Sequence, residues 1–295
     1  MTKKVLVLGA SGLVGSRFVE LSSNYFDLLT PSHQDLDLLN FEDLNAYIAE
    51  KAPDAILNCV AYTNVDTAEL EREDKQGLSY QLNSGLVEAL VKAASEHSAY
   101  LLQVSTDFVF DGKKGSPYTE DDIPNPINWY GQTKLIGEKF VHQEPSFGIA
   151  RIQMPYRANF IKEDGTEGKK DFARFFYGNL SLDKPIKVVT NQIISPVFVD
   201  DAIRAFQVLI DRKERGVFHI ASTNQITPLG FACEMAKQMH VSQELIQETT
   251  LDHLYQGKAP RPKNCALNTR KFETLSEGVL HSTTEGIKSF LQQVS

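Results

Sequence analysis

The chain has 295 residues, of which 42% are hydrophobic and 23% are charged, and it contains 18 Gly and 12 Pro. This composition is typical of a folded globular protein and excludes a disordered or fibrous chain, and the length suffices for one large domain or two joined domains. The formal net charge is −8, and no basic run is interleaved with aromatic residues, which argues against nucleic acid as a partner.

The cysteines and the apolar runs indicate the compartment. Cys59, Cys233 and Cys265 lie far apart without a CxxC spacing, which favours neither a disulfide framework nor a zinc site. The histidines show no metal-ligand spacing either, so we assign no metal site. The apolar run near the N-terminus is short, unlike that of a signal peptide, and no later run is long enough to span a bilayer. We therefore expect a cytoplasmic protein with no membrane partner.

The first half of the chain alternates short apolar runs with amphipathic segments of helix length. The apolar runs are predicted strands at residues 4–9, 26–30, 54–60 and 100–105. Short, fully apolar strands separated by helices are typical of parallel βαβ units, because helices cover both faces of such a sheet. The pattern predicts an α/β fold with a doubly wound, Rossmann-like parallel sheet.

The second half has a looser pattern that predicts a smaller C-terminal α/β lobe. Helix-like runs occur at residues 171–182, 200–210, 228–239 and 283–293, and the stretch 159–171, rich in Lys, Gly and Asp, is expected to be a solvent-exposed loop. We predict an NAD(P)-binding domain and a substrate-binding lobe. The first comprises residues 1–152 and about 183–222, and the second comprises about 153–182 and 223–295.

A glycine-rich loop follows the first predicted strand. The sequence GASGLVG, with the spacing GxxGxxG, lies between that strand and an amphipathic helix. Glycines in this position let the backbone approach a pyrophosphate, whose charge is met by the N-terminal amides of the helix. The predicted phosphate-binding residues are Gly9, Ser11, Gly12, Leu13, Val14 and Gly15.

The end of the second predicted strand bears on cofactor choice. An NAD-selective site often places a carboxylate there, whereas Thr30 is followed by Pro31, Ser32 and His33. Together with Arg17, these residues favour NADPH, with NADH as the alternative; Arg17 as an ordinary solvated helix residue is equally compatible with the pattern. Asp37 and Leu38 are expected near the adenine.

Tyr130 and Lys134 are spaced i, i+4 on a predicted helix, so they share one face. A lysine ammonium and a nicotinium beside a tyrosine favour the phenolate, so we expect a lowered pKa for Tyr130, which makes it a candidate general acid. Ser105 and Thr106 follow the fourth predicted strand, where hydroxyls face the ligand crevice of an open α/β sheet. Either could hydrogen-bond a substrate carbonyl, and a turn or cap role is the alternative.

Six segments together resemble the dTDP-4-dehydrorhamnose reductase family of the extended short-chain dehydrogenases, from end to end. They are GASGLVG, NCVAYTNVDTAE, LN at 82–83, STDFVFDG, YGQTKLIGEK and RPKNCALNTRKF. The resemblance implies a Rossmann-like lobe for NADPH or NADH and a C-terminal lobe for a nucleotide sugar. It also implies the roles of three groups of residues: Thr106, Tyr130 and Lys134 as the catalytic trio; Ala61, Tyr62, Ser105, Tyr130 and Lys134 at the cofactor; Thr63, Val65, Asp107 and Phe108 near the sugar.

The chain departs from the family pattern at the expected sugar pocket. RIQMPY places Met154 where the family has a tryptophan, and Phe108 replaces a common tyrosine. Lost polar or aromatic contacts can change substrate preference strongly. Arg261, between two prolines, is expected either to face the substrate diphosphate or to form a surface ion pair.

The sequence therefore predicts an NAD(P)H-dependent reductase of a 4-keto nucleotide sugar, with dTDP-4-dehydrorhamnose as the substrate. One alternative is a non-catalytic, NADP-binding regulator that resembles the beta subunit of methionine adenosyltransferase; another is a nucleotide-sugar epimerase. A homodimer is compatible with the resemblance.

Overall fold

The computed structural model describes residues 2–144, 147–161, 165–168 and 170–294. In the stretch expected to be an exposed loop, residues 162–164 and 169 lie outside the described residues. Among the described residues, no helix is both long enough and apolar enough to cross a membrane.

The described strands are β1 (Lys4–Leu8), β2 (Asp27–Leu29), β3 (Ala55–Asn58), β4 (Tyr100–Thr106), β5 (Gly148–Ile152), β6 (Ile186–Val189), β7 (Gly216–Ile220) and β8 (Ile246–Thr249). The helices of the first half are α1 (Leu13–Ser22), α2 (Phe41–Lys51), α3 (Val65–Leu70), α4 (Leu78–Tyr80), α5 (Leu86–Glu96) and α6 (Trp129–Val141). Those of the second half are α7 (Phe172–Leu180), α8 (Val199–Arg212), α9 (Pro228–Met239), α10 (Leu251–Leu254), α11 (Arg270–Leu275) and α12 (Thr283–Val294).

The larger sheet has the strand order β2-β1-β3-β4-β5-β7, and its β1–β2, β1–β3 and β3–β4 pairings are parallel. Leu6, Ile56 and Leu101, from the three central strands, are fully buried. Burial of apolar side chains from both the sheet and helices α2 and α5 builds the core that holds these strands in place. The predicted doubly wound parallel sheet is confirmed.

The order of the strands creates a crevice at β1. The chain passes from β1 to β2 on one side and then returns to β3 on the other, so the connections after β1 and β3 diverge. Ligands of open α/β sheets bind at such a switch point, at the carboxyl ends of the strands. The glycine-rich loop after β1 therefore lies at the carboxyl ends of the strands, where a dinucleotide is expected.

The chain divides into two compact units. One comprises Met1–Val109, Pro126–Arg151 and Ile203–Phe218, and the other comprises Phe110–Asn125, Ile152–Ala202 and His219–Ser295. The second unit includes residues 110–125, 152, 183–202 and 219–222, which the sequence analysis places in the first domain. Strand and helix periodicity predicts where elements lie along the chain but does not reveal with which unit a segment packs.

The second unit has its own small sheet and its own core. Strands β6 and β8 pair in parallel, and helices α7 and α9 pack beside β6. Tyr156 lies at the centre of an aromatic cluster, with ring centroids between 5.3 and 6.1 Å from those of its neighbours. Those neighbours are Phe172, Phe198, Phe231 and Phe290.

Candidate active site

The glycine-rich loop has the backbone geometry that phosphate binding requires. Gly9 has φ +80°, and a Cβ at this position would lie 3.1 Å from the backbone of Cys59 and Val60. A Cβ on Gly15 would overlap the carbonyl oxygen of Gly9, so helix α1 packs against the loop only with glycine there. Gly12 is the N-cap of α1 and offers no side chain to the first amides of the helix. The cradle therefore fits a dinucleotide pyrophosphate.

A carboxylate approaches the end of β2 from further along the chain. Asp35 accepts hydrogen bonds from the backbone N–H and the hydroxyl of Ser32, at 2.9 and 2.7 Å. These bonds lower the pKa of Asp35, so the carboxylate is charged at neutral pH. The sequence analysis found no carboxylate directly after this strand; the turn brings one there.

The other residues expected around the adenosine half are also placed. Arg17 forms an ion pair of 2.7 Å with Glu20 on the same helix. Asp37 is exposed and accepts a hydrogen bond from the N–H of Leu39, and Leu38 packs against the core of the first unit. Arg17 is thus held by a neighbouring carboxylate, close to the helix start that was expected to face the cofactor.

Hydroxyl groups cluster where β4 ends. Thr106 donates a hydrogen bond to Asp107 at 3.0 Å, and its oxygen accepts one from the N–H of Phe108 at 3.2 Å. The Ser105 hydroxyl is buried and has no hydrogen-bond partner among the described residues. Because buried polar groups are nearly always paired, this hydroxyl is suited to a bound ligand.

Helix α6 reaches this cluster through a close approach. The N-cap Asn128 accepts a hydrogen bond from the N–H of Gly131 at 2.8 Å, which fixes the start of the helix. A Cβ on Gly131 would overlap the carbonyl oxygen of Phe108, so glycine lets the helix lie directly against the turn after β4. The ring of Tyr130 then meets that of Phe108 edge-on, with centroids 5.8 Å apart.

The Tyr130 hydroxyl keeps its proton at neutral pH. Its pKa is raised to about 12, chiefly by burial; the Thr106 side chain lowers it, and the nearby Asp107 carboxylate raises it. The pKa of Tyr130 is raised by the protein itself, because burial disfavours the phenolate, whereas the sequence predicts a lowering by Lys134 together with a nicotinium. A protonated phenol in this position is suited to donating a proton.

Lys134 lies one turn further along α6 and is 4% exposed. Its ammonium donates a hydrogen bond of 2.8 Å to the carbonyl oxygen of Val104 on β4. Burial lowers its pKa to about 8, against opposing contributions from Glu138 and Cys59. Thr106, Tyr130 and Lys134 are thus brought together at the carboxyl end of β4.

The loop after β3 is clamped by Asn83, which the sequence analysis quotes in the LN motif at 82–83 but assigns no role in the site. Asn83 accepts a hydrogen bond from the N–H of Tyr62 at 2.9 Å, and its amide donates to the Tyr62 carbonyl at 3.1 Å and to Thr133 at 3.0 Å. It lies in a π-helical turn, Gln81–Gly85, before α5. Its position in a helix, where asparagine is disfavoured, is the signal that could have identified it.

The clamp fixes the predicted residues around Tyr62. Ala61 is half-buried beside it, Thr63 is exposed, and Val65 begins α3 and packs with Tyr62, Trp129 and Tyr130. The first unit therefore presents these positions on one loop that is bonded to α6.

Met154 belongs to the second unit and has an unusual backbone. Its φ is +40°, in the left-handed region that disfavours most side chains. The fully buried Gln153 beside it bonds the N–H and the hydroxyl of Ser195 and donates to the Cys265 carbonyl at 3.0 Å. These bonds hold the strained conformation of Met154 in place.

Arg261, also in the second unit, lies over the ring of Tyr255, 4.5 Å from its centroid, and donates to the Ala259 carbonyl. Gln192 donates to the carbonyl of Pro262 at 3.1 Å, which fixes the loop that carries Arg261.

Comparisons with known proteins agree with the fold and the motifs. A family model described as the RmlD substrate binding domain matches residues 3–295. Methionine adenosyltransferase 2 subunit beta of Mus musculus is 30% identical over 311 residues, covering 98% of this chain and 87% of the relative. A dTDP-4-dehydrorhamnose reductase of Salmonella typhimurium is 29% identical over 305 residues, covering 98% of this chain and 97% of the relative.

A solved structure extends the likeness to three dimensions. The dTDP-4-dehydrorhamnose reductase of Bacillus anthracis, in complex with NADP, superposes with a TM-score of 0.88 at 27% identity, covering 99% of this chain and 100% of that one. The resemblance to the dTDP-4-dehydrorhamnose reductases is confirmed. The chain belongs to the RmlD substrate binding domain family.

Proposed function

We propose that this protein is an NAD(P)H-dependent reductase of a 4-keto nucleotide sugar, with dTDP-4-dehydrorhamnose as substrate and dTDP-rhamnose as product. The observation that carries the proposal is the cluster of Thr106, Tyr130 and Lys134 at the end of β4, in the same unit as the glycine-rich loop. Reductases with dTDP-4-dehydrorhamnose in their names are among its relatives and structural neighbours.

A bound nicotinamide would supply the hydride, which the side chains of this chain cannot. Tyr130 holds a proton at neutral pH and donates it to the carbonyl oxygen, so hydride and proton together convert the ketone to an alcohol. Thr106 orients that oxygen and stabilises the negative charge that develops on it. The Lys134 ammonium supplies a positive charge to the site. The buried Ser105 hydroxyl, which lacks a partner within the described chain, supplies a hydrogen-bonding group for the bound ligand.

The cofactor preference depends on the end of β2. NADPH is favoured by Arg17 and by the NADP complex of the Bacillus anthracis reductase. The Asp35 carboxylate, bonded to Ser32, acts against the 2′-phosphate, because like charges repel. We propose NADPH as the preferred cofactor with NADH accepted.

We propose six residues as substrate contacts: Thr63, Val65, Asp107, Phe108, Met154 and Arg261. The guanidinium of Arg261 is suited to a diphosphate. We propose a cytoplasmic location because three free thiols suit a reducing compartment. A homodimer stays a prediction.

A second candidate follows from the relatives. Several relatives at 28–30% identity are named methionine adenosyltransferase 2 subunit beta, and each match covers 98% of this chain. A regulator of that kind would bind the cofactor and a partner protein without turnover.

Two measurements on the purified protein distinguish the candidates. Cofactor binding is measured by the quenching of protein fluorescence with NADPH, and turnover by the formation of dTDP-rhamnose with one NADPH oxidised per sugar. Binding with stoichiometric product supports the reductase. Binding without product, together with a stable complex with a methionine adenosyltransferase, supports the regulator.

A further inference from the structure

A buried ion pair lies one helical turn beyond Lys134. Glu138 on α6 and Arg151 on β5 form a two-pronged contact, with Nε–Oε1 at 2.9 Å and Nη2–Oε2 at 2.6 Å. The two side chains are 0% and 2% exposed. Such a pair contributes little net stability compared with apolar residues of similar size, so its burial beside a candidate site calls for another explanation.

The spacing along α6 connects this pair to the candidate site. Tyr130, Lys134 and Glu138 are separated by four residues each, so the three side chains lie along one face of the helix. Arg151 meets the last of them from the neighbouring strand. The charges thus alternate along this line, with an ammonium, a carboxylate and a guanidinium following the phenol.

The remaining groups around Lys134 come from three elements. The Cys59 thiol follows β3, and burial raises its pKa to about 12, so it is neutral near pH 7. The Val104 carbonyl on β4 accepts the ammonium hydrogen bond, and Asp107, after β4, acts on Tyr130. Of the two side chains that raise the pKa of Lys134 against the effect of burial, Glu138 and Cys59, Glu138 contributes more.

We propose that Glu138 and Arg151 are positioning residues that set the charge of Lys134. The Glu138 carboxylate favours the ammonium form, and Arg151 holds that carboxylate in place while reducing its attraction. The assignment rests on the proposed function only for the role of Lys134 in turnover; the electrostatic relationship is a property of the folded chain.

The proposal predicts opposite effects for the two partners. In Glu138→Gln, the attraction of the carboxylate is lost while the positive charge of Arg151 stays, so Lys134 loses its proton at a pH lower by roughly one pH unit. In Arg151→Met, the Glu138 carboxylate acts on Lys134 without the opposing charge of Arg151, so the pH of the Lys134 transition rises by a similar amount. The double variant Glu138→Gln/Arg151→Met removes the net attraction, so its transition lies between those of wild type and Glu138→Gln.

The test is a pH titration of the Lys134 side chain by nuclear magnetic resonance, with ¹³C in the ε-carbons of lysine. The Lys134→Met spectrum identifies the signal, and near-ultraviolet circular dichroism checks the fold of each variant. The double variant contains neither charge and avoids an unpaired buried ion, so it provides a folded comparison with wild type where a single variant unfolds.

The order of the transitions decides the proposal. The proposal is supported if the pH of the Lys134 transition falls in the following order: Arg151→Met highest, then wild type, then the double variant, and Glu138→Gln lowest. Identical transitions in wild type and the double variant, or shifts of the same sign in both single variants, overturn it.

Turnover provides a separate readout. If the protein oxidises NADPH with a 4-keto sugar, the alkaline limb of kcat/KM shifts in the same order. A shifted Lys134 titration in a protein without turnover supports this inference and contradicts the proposed function. Turnover with an unshifted Lys134 titration supports the proposed function and overturns this inference.

Discussion

Lys134 donates a hydrogen bond of 2.8 Å to the carbonyl oxygen of Val104, so a buried ammonium joins α6 to the end of β4. One hydrogen bond does not compensate for removing the charge from water, which is why burial lowers the pKa of Lys134 from 10.5 to about 8. The site therefore includes a side chain that costs the folded state free energy.

Replacing Lys134 with methionine should stabilise the protein at neutral pH. Between about pH 8 and 10.5 the unfolded chain holds the Lys134 proton and the folded chain does not, so the wild-type free energy of unfolding rises with pH in that window. Below about pH 8, the folded chain holds the charged Lys134 ammonium and bears the full free-energy cost of its burial. We expect Lys134→Met to be more stable at pH 7 by about 1–3 kcal/mol, with a smaller difference at pH 10.

Urea unfolding at the two pH values measures this effect. The matched control is Lys139→Met, because Lys139 lies on the same helix but is exposed, and its replacement should change stability by less than about 0.5 kcal/mol. A Lys134→Met protein that is less stable than wild type at pH 7 would contradict the account.

Gly15→Ala should abolish cofactor binding. Alanine favours a helix over glycine by about 1 kcal/mol, but here its Cβ would overlap the Gly9 carbonyl oxygen, and overpacking against backbone costs about 1–3 kcal/mol or more. The loop must shift, and its amides then leave the phosphate.

Fluorescence titration with NADPH checks this expectation. Gly115→Ala is the control, since a Cβ there meets nothing within 4 Å among the described atoms. Unchanged affinity in Gly15→Ala would remove the glycine-rich loop from the cofactor site.

Asp35→Asn should increase the preference for NADPH over NADH. Asparagine keeps an acceptor for the Ser32 hydrogen bonds but removes the charge that opposes a 2′-phosphate. We expect the ratio of the two dissociation constants to change several-fold in favour of NADPH, and less at high salt. Asp27→Asn, at the opposite end of β2, should leave the ratio as in wild type. Equal ratios in Asp35→Asn and wild type would show that this carboxylate does not face the cofactor.

The sequence predicted the sheet, and it predicted the positions that make up much of the candidate site, because both rest on local patterns. Strand and helix periodicity gave the βαβ units, the glycine spacing gave the phosphate loop, and the i, i+4 spacing placed Tyr130 and Lys134 on one helix face. Each of these is set by residues that are close in the chain.

Turn geometry, burial and pairing between elements could not be predicted in this way. Asp35 reaches the end of β2 only through its turn, and the partner of Glu138 is an arginine within an otherwise apolar strand. The raised pKa of Tyr130 depends on burial, which spacing alone does not give. An arginine in the run GIARI was the available signal, since a charge in a buried strand needs a partner.

Tyr130→Phe should separate binding from chemistry. The ring keeps its edge-on contact with Phe108, so the fold and the NADPH affinity should match wild type, while loss of the proton donor lowers kcat on the order of 10²- to 10⁴-fold. Steady-state kinetics and NADPH titration on the same preparation measure both. A variant that keeps most of its turnover would exclude Tyr130 as the proton donor.

The most direct measurement is the loss of reduced-nicotinamide absorbance when dTDP-4-dehydrorhamnose is added to the purified protein with NADPH, and separately with NADH. We expect rapid oxidation by wild type, faster with NADPH, and almost none by Tyr130→Phe. No oxidation of either cofactor by a protein that demonstrably binds NADPH would contradict the reductase and favour the regulatory subunit.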